Sequence, residues 1–322
     1  MQTEFVISAG EQPKRLDVFL VHRQPKLSRA ALQRMISAGW VRINNQSAKP
    51  SQKIKTGDVV TFDTPLVAPL RLAGQTASLE ILYEDHWCLV LNKPAGVVVH
   101  PAPGHWSNTL LNALLDHCAR SSETATPGLV HRLDKATSGV MVIPKTAEAH
   151  RRLAVQFECH SITRYYEALV WGIPEQPEGG IDFAIGPDHQ NPKRTSTRTF
   201  QPKVSLTEYQ VEEAFGTVAA RIVLRPRTGR THQIRTHLLA IGHPILGDKT
   251  YGGDRVGAIG GYEFQRGMLH ARKLGFTHPV TNAHCEFTIA APPDFNGAHH
   301  ALRQATFHEG GSARYSESPE IC

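Results

Sequence analysis

The chain has 322 residues, 40% of them hydrophobic and 20% charged, and its formal net charge is +6. This length exceeds the usual range of one domain, so the sequence predicts a large domain and a small one. The densest apolar run, Trp87 to Leu91, is too short for a membrane span, and Met1 to Gly10 lacks the apolar core of a signal peptide. We therefore expect a cytoplasmic protein that is not embedded in a membrane.

The cysteines and the distribution of charge narrow the class further. Five cysteines are scattered without a close pair, which argues against a disulfide framework and against a structural zinc site. Residues 1–64 carry ten lysines and arginines against five acidic residues, whereas the rest of the chain carries 25 against 24. Such an N-terminal excess can bind the phosphates of RNA, although a solvated basic surface has the same composition.

The composition also divides the chain into regions. Residues 14–64 form a compact basic unit, residues 65–78 have the proline, glycine and small residues of a linker, and residues 79–303 form a long mixed region. Residues 304–322 are polar, and we expect them to be disordered. In the long region strands outnumber helices and several follow each other directly. This predicts an α+β fold with a large, mixed but mostly antiparallel sheet.

The basic unit is predicted to contain helices and a small sheet. Ser28 is a candidate cap for a helix that ends at Gly39, and one arc of this helix presents Arg29 and Arg34 to solvent or to phosphate. Four motifs, Arg15-Leu-Asp17, Leu27-Ser-Arg29, Val41-Arg-Ile-Asn44 and Gly57-Asp58, resemble the S-four-type RNA-binding domain. The resemblance implies a small α/β domain that docks RNA with the exposed arc.

In the long region, β-branched and aromatic residues predict strands, and apolar residues at helical spacing predict helices. Strands are expected at Trp87–Leu91, Gly139–Ile143, Tyr166–Trp171, Thr207–Val211 and Val218–Leu224. One helix is expected after Thr146, and another after Thr231 that ends before Gly242.

A loop bounded by Gly128 and Gly139 is the first candidate for chemistry. It contains His131, Arg132 and Asp134 and leads into an apolar strand, an arrangement that can hold a carboxylate rigidly at the edge of a cleft. Taken alone, the same residues also fit a charged surface loop in which Asp134 pairs with a neighbouring cation.

The basic segment 225–237 is the second candidate. Thr231 is the predicted N-cap of its helix, so the helix start would present backbone N–H groups beside cations such as Arg230. Arg235 lies next to the apolar Ile234, and an arginine that half faces the core needs an anionic partner. The alternative is a basic helix face that binds solvent or phosphate. The spacing of a phosphate-binding P-loop does not occur here.

Tyr166 is the third candidate. Strand alternation places it on the same face as Ala168 and Val170. A tyrosine on a sheet face usually belongs to the core. It becomes a platform for stacking a base only where that face lines a cleft.

Together these segments closely resemble the RluA/RluD-type pseudouridine synthase family through almost the whole chain. The motifs that carry the resemblance are Leu91–Pro101, His131-Arg-Leu-Asp134 with Thr137-Ser-Gly139, Gly229-Arg-Thr-His-Gln-Ile-Arg235 with Gly242-His-Pro244 and Gly247-Asp248, and Met268-Leu-His-Ala271. Two positions depart from the family pattern: Ala136, where relatives often have a polar or acidic residue, and Ser205, which is often alanine.

The resemblance implies a reaction and its residues. The reaction cleaves the bond from uracil N1 to the ribose, turns the base and rejoins it through C5, so we expect neither a cofactor nor a metal. Asp134 would be the catalytic carboxylate, Arg235 its partner, and Tyr166 the residue that stacks on the target base. Whether Asp134 attacks the anomeric carbon or removes a ribose proton stays open.

The resemblance also implies that the target uridine is flipped out of folded RNA. Arg132 would fill the vacated space, and Ile234 would help to close the apolar wall. We count His131 and Arg230 among the RNA-binding residues; the alternative for His131 is that it only orients the loop.

Large-subunit (23S) ribosomal RNA is the expected substrate, because relatives that act on it commonly carry the small N-terminal domain; transfer RNA is the nearer alternative. A non-catalytic RNA-binding or ribosome-assembly factor is a second hypothesis, against which the intact Asp134, Arg235 and Tyr166 argue. An aspartyl-phosphate enzyme ranks last, because no Mg²⁺-binding carboxylate cluster is evident. We expect a monomer.

Overall fold

The computed structural model divides into two compact units, Met1–Arg71 and Leu72–Cys322. The residues that it describes are 2–8, 15–24, 29–63, 74–101, 107–121, 125, 127–252, 258–259 and 261–307. The division falls inside the predicted linker 65–78, of which residues 65–73 lie outside the described residues, as does the tail from residue 308 onward. The disorder predicted for residues 304–307 is wrong, because they belong to a helix, Pro293–Phe307. The predicted domain limits stay predictions.

The first unit has two helices and a four-stranded antiparallel sheet in the order β1-β4-β2-β3. Its elements are β1 (Gln2–Val6), α1 (Leu16–Arg23), α2 (Arg29–Ser37), β2 (Val41–Ile43), β3 (Gln46–Ser47) and β4 (Val59–Asp63). The strand β1 lies before the predicted start of the unit at residue 14. It pairs with β4 at the other end of the unit, from Gln2 opposite Asp63 to Val6 opposite Val59, so local sequence gives little sign of it.

The helix α2 packs one face into the core of this unit. Leu32 and Ile36, one turn apart on the same side of the helix, are buried. The predicted cap Ser28 and the side chain of Arg34 lie outside the described residues.

Asp17 of α1 is a fully buried carboxylate that ties the two helices together. Its oxygens accept hydrogen bonds from Arg15 Nε at 3.0 Å, Arg29 Nη2 at 2.9 Å and Gln33 Nε2 at 2.7 Å. Burial raises the pKa of this carboxyl, but these bonds outweigh burial and hold the pKa below its usual value. Arg29 therefore has a structural partner in addition to an exposed guanidinium.

The second unit holds the remaining elements. They are β5 (Glu80–Glu84), β6 (Cys88–Lys93), α3 (Leu110–Ser121), β7 (Ser138–Pro144), α4 (Ala147–Glu158), β8 (Thr163–Trp171), β9 (Glu178–Ile181), β10 (Gly186–Pro187), β11 (Thr195–Ser196), β12 (Thr207–Phe215), β13 (Ala219–Pro226), α5 (Gln233–Ala240), β14 (Ala258–Ile259), β15 (Tyr262–Glu263), β16 (Leu269–Thr277), β17 (His284–Thr288) and α6 (Pro293–Phe307). Among the described residues, no helix combines the length and the apolar character needed to cross a membrane.

A nine-stranded sheet organises this unit. Eight strands follow the order β5-β6-β7-β16-β8-β13-β12-β9, and β17 pairs with β16 beside this path. All of the pairs are antiparallel except that between β7 and β16. The predicted α+β fold with a large, mostly antiparallel sheet is thus confirmed.

The strand β7 leads away from the Asp134 loop, which we define as residues 129–137, and it is buried along its whole length. Gly139 of β7 pairs in parallel with Ala271 of β16 and has a φ of 134°. A Cβ at this position would collide with the Ala271 carbonyl. Glycine therefore lets two strands that are far apart in sequence close tightly at the end of the loop.

The helices α4 and α5 begin in different ways. The helix predicted after Thr146 is confirmed, and Thr146 caps α4 by accepting the N–H of Ala149. The prediction that Thr231 caps α5 is wrong, because the N-cap is His232 in a left-handed conformation. The side-chain oxygen of Gln233 accepts the backbone N–H of Arg230 at 3.0 Å. This N–H precedes the helix, and a threonine cap at position 231 would not reach it.

Candidate active site

A cavity of about 830 Å³ lies between the Asp134 loop and the segment that leads from β13 into α5. This volume is typical of sites for small ligands. The predicted site residues of the second unit line it: His131, Arg132, Asp134, Tyr166, Arg230, Ile234 and Arg235. The two segments singled out in the sequence therefore meet in space, although 101 positions separate Asp134 from Arg235.

Arg235 lies in the wall of this cavity and bridges two carboxylates, Asp134 in the same wall and Asp248 behind it. Its Nη1 donates to Asp134 Oδ2 at 3.0 Å, while its Nε and Nη2 donate to the two oxygens of Asp248 at 2.6 and 2.8 Å. The side chain of Asp134 is 19% exposed and that of Asp248 only 2%. The bidentate bond to Asp248 fixes the guanidinium plane, and the remaining donor is aimed at Asp134.

Arg235 and Asp248 stabilise each other's charged forms. Burial lowers the pKa of Arg235, but the two carboxylates raise it above its usual value. Burial raises the pKa of Asp248, yet Arg235 and the N–H groups of Thr250 and Tyr251 hold it below the usual range. Asp248 is therefore an ionised counterion of Arg235 at neutral pH. The sequence singled it out only within the Gly247-Asp248 motif and gave it no role.

Tyr166 and Ile234 supply apolar surface to the cavity. Tyr166 lies on β8 opposite Leu224 of β13 and packs against the core with a partly buried ring. Burial raises the pKa of Tyr166, so its hydroxyl stays protonated at neutral pH. Ile234 lies in the first turn of α5 and is 7% exposed. An aromatic ring beside an aliphatic side chain offers a surface on which a base can stack.

Arg132, Arg164 and Arg230 also line the cavity. Arg132 and Arg230 are exposed and can meet an anionic ligand. Arg164, which the sequence did not single out, donates its Nη2 to the carbonyls of Pro226 and Thr228, both at 3.3 Å. It therefore secures the segment that carries Arg230 toward α5.

His131 supports the Asp134 loop from within. Its Nε2 accepts the backbone N–H of Val142 at 3.1 Å, and its ring stacks on Phe157 with 4.6 Å between centroids. Burial, together with Arg164, lowers the pKa of His131 to about 3. The ring is therefore neutral at physiological pH, which suits a residue that orients the loop.

His131→Phe is expected to lower the free energy of unfolding by about 1–3 kcal/mol. The phenyl ring can keep its stacking on Phe157, but it offers no acceptor to the Val142 N–H, which becomes an unsatisfied buried donor. Thermal or urea unfolding measures the loss. His86→Phe, at an exposed turn, is the control and should change stability by less than about 0.5 kcal/mol; equal losses in the two variants would contradict the assigned hydrogen bond.

Arg266 fixes the end of the Asp134 loop, and the sequence gave no sign of this role. Its Nη1 donates to the carbonyls of Ala136 at 2.9 Å and Leu269 at 3.1 Å, and its Nε donates to Asp294 Oδ2 at 2.6 Å. The side chain of Arg266 is 9% exposed, so these bonds are largely shielded from water. Ala136 contributes only its backbone carbonyl, and its departure from the family pattern leaves this contact intact.

Known proteins with similar sequences identify the family. A family model described as RNA pseudouridylate synthase matches residues 87–240, which include Asp134, Tyr166 and Arg235, and a model of the S4 domain matches residues 14–60. A Zymomonas mobilis protein named ribosomal large subunit pseudouridine synthase D is 42% identical over 291 residues, which cover 87% of this chain and 91% of the relative. This chain belongs to the RNA pseudouridylate synthase family.

Further relatives agree with this assignment. The Bacillus subtilis protein named uncharacterized RNA pseudouridine synthase YlyB is 38% identical and covers 91% of this chain and 95% of its own length. The structure of human RNA pseudouridylate synthase domain containing 4 matches with a TM-score of 0.57 and 26% identity, over 70% of this chain and 93% of that one. The family resemblance is confirmed, and this pseudouridine synthase is an isomerase whose substrate is RNA.

Among the described side chains of the synthase, one cluster has the ligand types of a metal site. The ligand atoms of Asp85, Cys88 and His278 lie within 4.8 Å of one another. His278 Nδ1 accepts the Thr281 N–H at 3.0 Å, so its Nε2 carries the proton that it donates to Asp85 Oδ2 at 2.8 Å. Burial raises the pKa of the Cys88 thiol to about 12. Asp85 also accepts the backbone N–H groups of Trp87 and Cys88 at 2.8 and 2.7 Å, so this hydrogen-bond network gives the cluster a structural role.

Proposed function

We propose that this synthase converts uridine to pseudouridine in large-subunit ribosomal RNA, with Asp134 as the catalytic carboxylate. The observation that supports this role is the position of Asp134. Its Oδ2 accepts a hydrogen bond from Arg235, while its Oδ1 has His232 Nε2 at 3.9 Å, beyond hydrogen-bond distance. One oxygen is thus held by a fixed cation, and the other can reach a ribose that enters the cavity.

The chemistry asks little else of the protein. The bond between N1 and C1′ breaks with its electron pair on uracil, the base turns, and C5 bonds to C1′ while the proton on C5 is replaced by one on N1. Glycosidases need two carboxylates because they admit water and release a leaving group. Here the departing base is recaptured, so one ionised carboxylate suffices, and Arg235 stabilises its charge whether it acts as a nucleophile or as a base.

The remaining cavity residues suit a flipped-out nucleotide. We assign base stacking to Tyr166, with Ile234 completing the apolar wall. The exposed guanidinium of Arg132 is free to stack in the space that the base leaves in the RNA. Arg230 would meet the RNA backbone, and His131 would act on RNA only by orienting the loop.

The N-terminal S4 domain is proposed to anchor the RNA. The exposed guanidinium of Arg29 can contact phosphate while it keeps Asp17 as a partner. Arg34 is assigned to the same surface from its place on the helix arc. Neutralising such cations weakens binding in a salt-dependent way, which is the mark of phosphate contacts.

The ribosomal substrate is inferred from relatives named ribosomal large subunit pseudouridine synthase D in Zymomonas mobilis and Pseudomonas aeruginosa, together with the S4 domain. Transfer RNA is the competing substrate. The cytoplasmic location and the monomeric state belong to the same proposal.

Mapping pseudouridines in RNA from cells that lack the protein tests this function. We expect one or more sites in large-subunit ribosomal RNA to revert to uridine, and the wild-type gene to restore them. Loss of sites in transfer RNA alone would overturn the ribosomal assignment. Restoration by the Asp134→Asn variant would indicate a non-catalytic assembly factor instead.

A further inference from the structure

His232 has a strained backbone at the edge of the cavity. It precedes α5 with a φ of 53° and a ψ of 22°, the left-handed region that residues other than glycine rarely adopt. Such strain persists when surrounding contacts hold the residue in place, and it concentrates at functional sites. The side chain of His232 lines the same cavity as Asp134.

Tyr251 determines which nitrogen of His232 carries the proton. The buried Tyr251 hydroxyl accepts the Thr195 N–H at 2.9 Å and lies 2.9 Å from His232 Nδ1. We assign the hydroxyl hydrogen to this contact, so that Tyr251 donates to Nδ1 and, in the neutral ring, the N–H is on Nε2.

Several charges surround His232, and the balance favours the neutral ring. Burial lowers the pKa of His232, and Arg235 and Arg132 lower it further against the opposite effect of Asp134 and Asp248. The imidazole is thus an uncharged donor rather than a second cation beside Asp134.

The gap between His232 and Asp134 is too wide for a direct hydrogen bond. His232 Nε2 lies 3.9 Å from Asp134 Oδ1. The other carboxylate oxygen, Oδ2, already has Arg235 as its donor. An oxygen atom about 2.8 Å from both Nε2 and Oδ1 fits this separation, provided that it can accept one hydrogen bond and donate another.

We propose that His232 and Asp134 together bind the 2′-hydroxyl of the target ribose, which accepts from His232 Nε2–H and donates to Asp134 Oδ1. This assignment rests on the proposed function, which brings a ribose to Asp134. A hydroxyl is the ribonucleotide group that both donates and accepts, and it is the group that distinguishes RNA from DNA. The contact makes His232 a substrate-binding and specificity residue and places Asp134 beside the carbon next to C1′.

Two variants separate this role from a merely structural one. His232→Asn keeps a residue that tolerates left-handed backbone and a polar atom near the position of Nδ1, but it has no donor that reaches as far as Nε2. His232→Gln places an amide N–H near the position of Nε2. Each variant is compared with the wild-type enzyme on RNA that carries uridine or 2′-deoxyuridine at the target, with thermal unfolding as a check that the variants fold.

If the deoxy RNA reacts, the readout is kcat/KM for each RNA. If it does not react, the readout is the inhibition constant of the deoxy RNA divided by the KM of the uridine RNA. In the wild-type enzyme, removal of the 2′-hydroxyl should weaken the interaction about 3- to 10-fold more than it does in His232→Asn, the factor for one uncharged hydrogen bond. His232→Gln should recover most of this difference. An equal penalty in the wild-type enzyme and in His232→Asn would overturn the proposal, and would leave a water molecule as the bridge. A wild-type enzyme that forms no pseudouridine in uridine RNA would overturn the proposed function itself.

Discussion

Asp134→Asn is expected to lower the rate of isomerisation by at least about 10³-fold, the scale of losing a catalytic base or nucleophile. The amide oxygen can still accept from Arg235 Nη1, so the cavity keeps its shape while the negative charge disappears. RNA affinity should therefore stay close to that of the wild-type enzyme. Single-turnover pseudouridine formation and a filter-binding assay measure the two quantities on the same RNA.

Asp182→Asn is the matched control, because Asp182 is exposed and does not line the cavity. This variant should retain full activity. Turnover by Asp134→Asn close to that of Asp182→Asn would remove Asp134 from the catalytic role. Loss of RNA binding in Asp134→Asn would mean that the charge serves affinity rather than chemistry.

Arg235→Leu is expected to lower the free energy of unfolding by about 3–5 kcal/mol and to abolish activity. The substitution leaves Asp248, which is 2% exposed, as a buried charge without its cation, and removing one partner of such a pair costs this much. Thermal unfolding measures the loss of stability. The double variant Arg235→Leu with Asp248→Asn should regain a large part of the stability but no activity, since the cation beside Asp134 is still missing.

The same pair predicts a pH dependence. The folded-state pKa of Asp248 is lowered, so its contribution to stability is present above the unfolded-state pKa of about 3.9 and is lost as the pH falls through the folded pKa. In Arg235→Leu, burial favours the protonated carboxyl instead. The stability difference between the wild-type enzyme and the variant should therefore narrow between pH 7 and pH 4. A difference that is constant with pH would contradict the ion pair as its cause.

Five strands of the nine-stranded sheet, β6, β7, β8, β12 and β13, were predicted near their observed positions, whereas β5, β9, β16 and β17 were not predicted. The prediction for β12 nevertheless stopped at Val211, whereas the strand continues to Phe215. A bulge between Val211 and Glu213 shifts the alternation of side chains there, so the periodic pattern breaks although the pairing goes on. The alternation of polar and apolar residues indicates which face of the sheet each side chain occupies. Beyond a bulge this alternation is out of phase, so the pattern no longer predicts a strand.

Strand order could not be predicted in the same way. The sequence gives no local sign that β16 enters between β7 and β8, because the pairs Ala271 with Gly139 and Leu269 with Ala168 join residues about a hundred positions apart. These contacts depend on the three-dimensional approach of distant segments. Only the requirement for glycine at position 139 left a trace in the sequence.

The candidate site divides along similar lines. An arginine beside an apolar residue predicted that Arg235 needs an anion, and the structure supplies Asp134 together with Asp248. The bidentate partner Asp248 was missed as such because a Gly-Asp pair also fits an ordinary exposed turn. Tyr251 and His232 were missed as a pair because their contact depends on a left-handed residue that sequence patterns do not reveal.

The central position of β16 also bears on how the enzyme is made. A ribosome must synthesise the chain as far as Thr277 before this strand can join β7 to β8, so the sheet cannot close before that point in translation. Contacts of such long sequence separation also slow folding. A polypeptide truncated before Leu269 would contain Asp134, Tyr166 and Arg235 but would lack β16. The edges of β7 and β8 would then be unpaired, and unpaired strand edges favour aggregation.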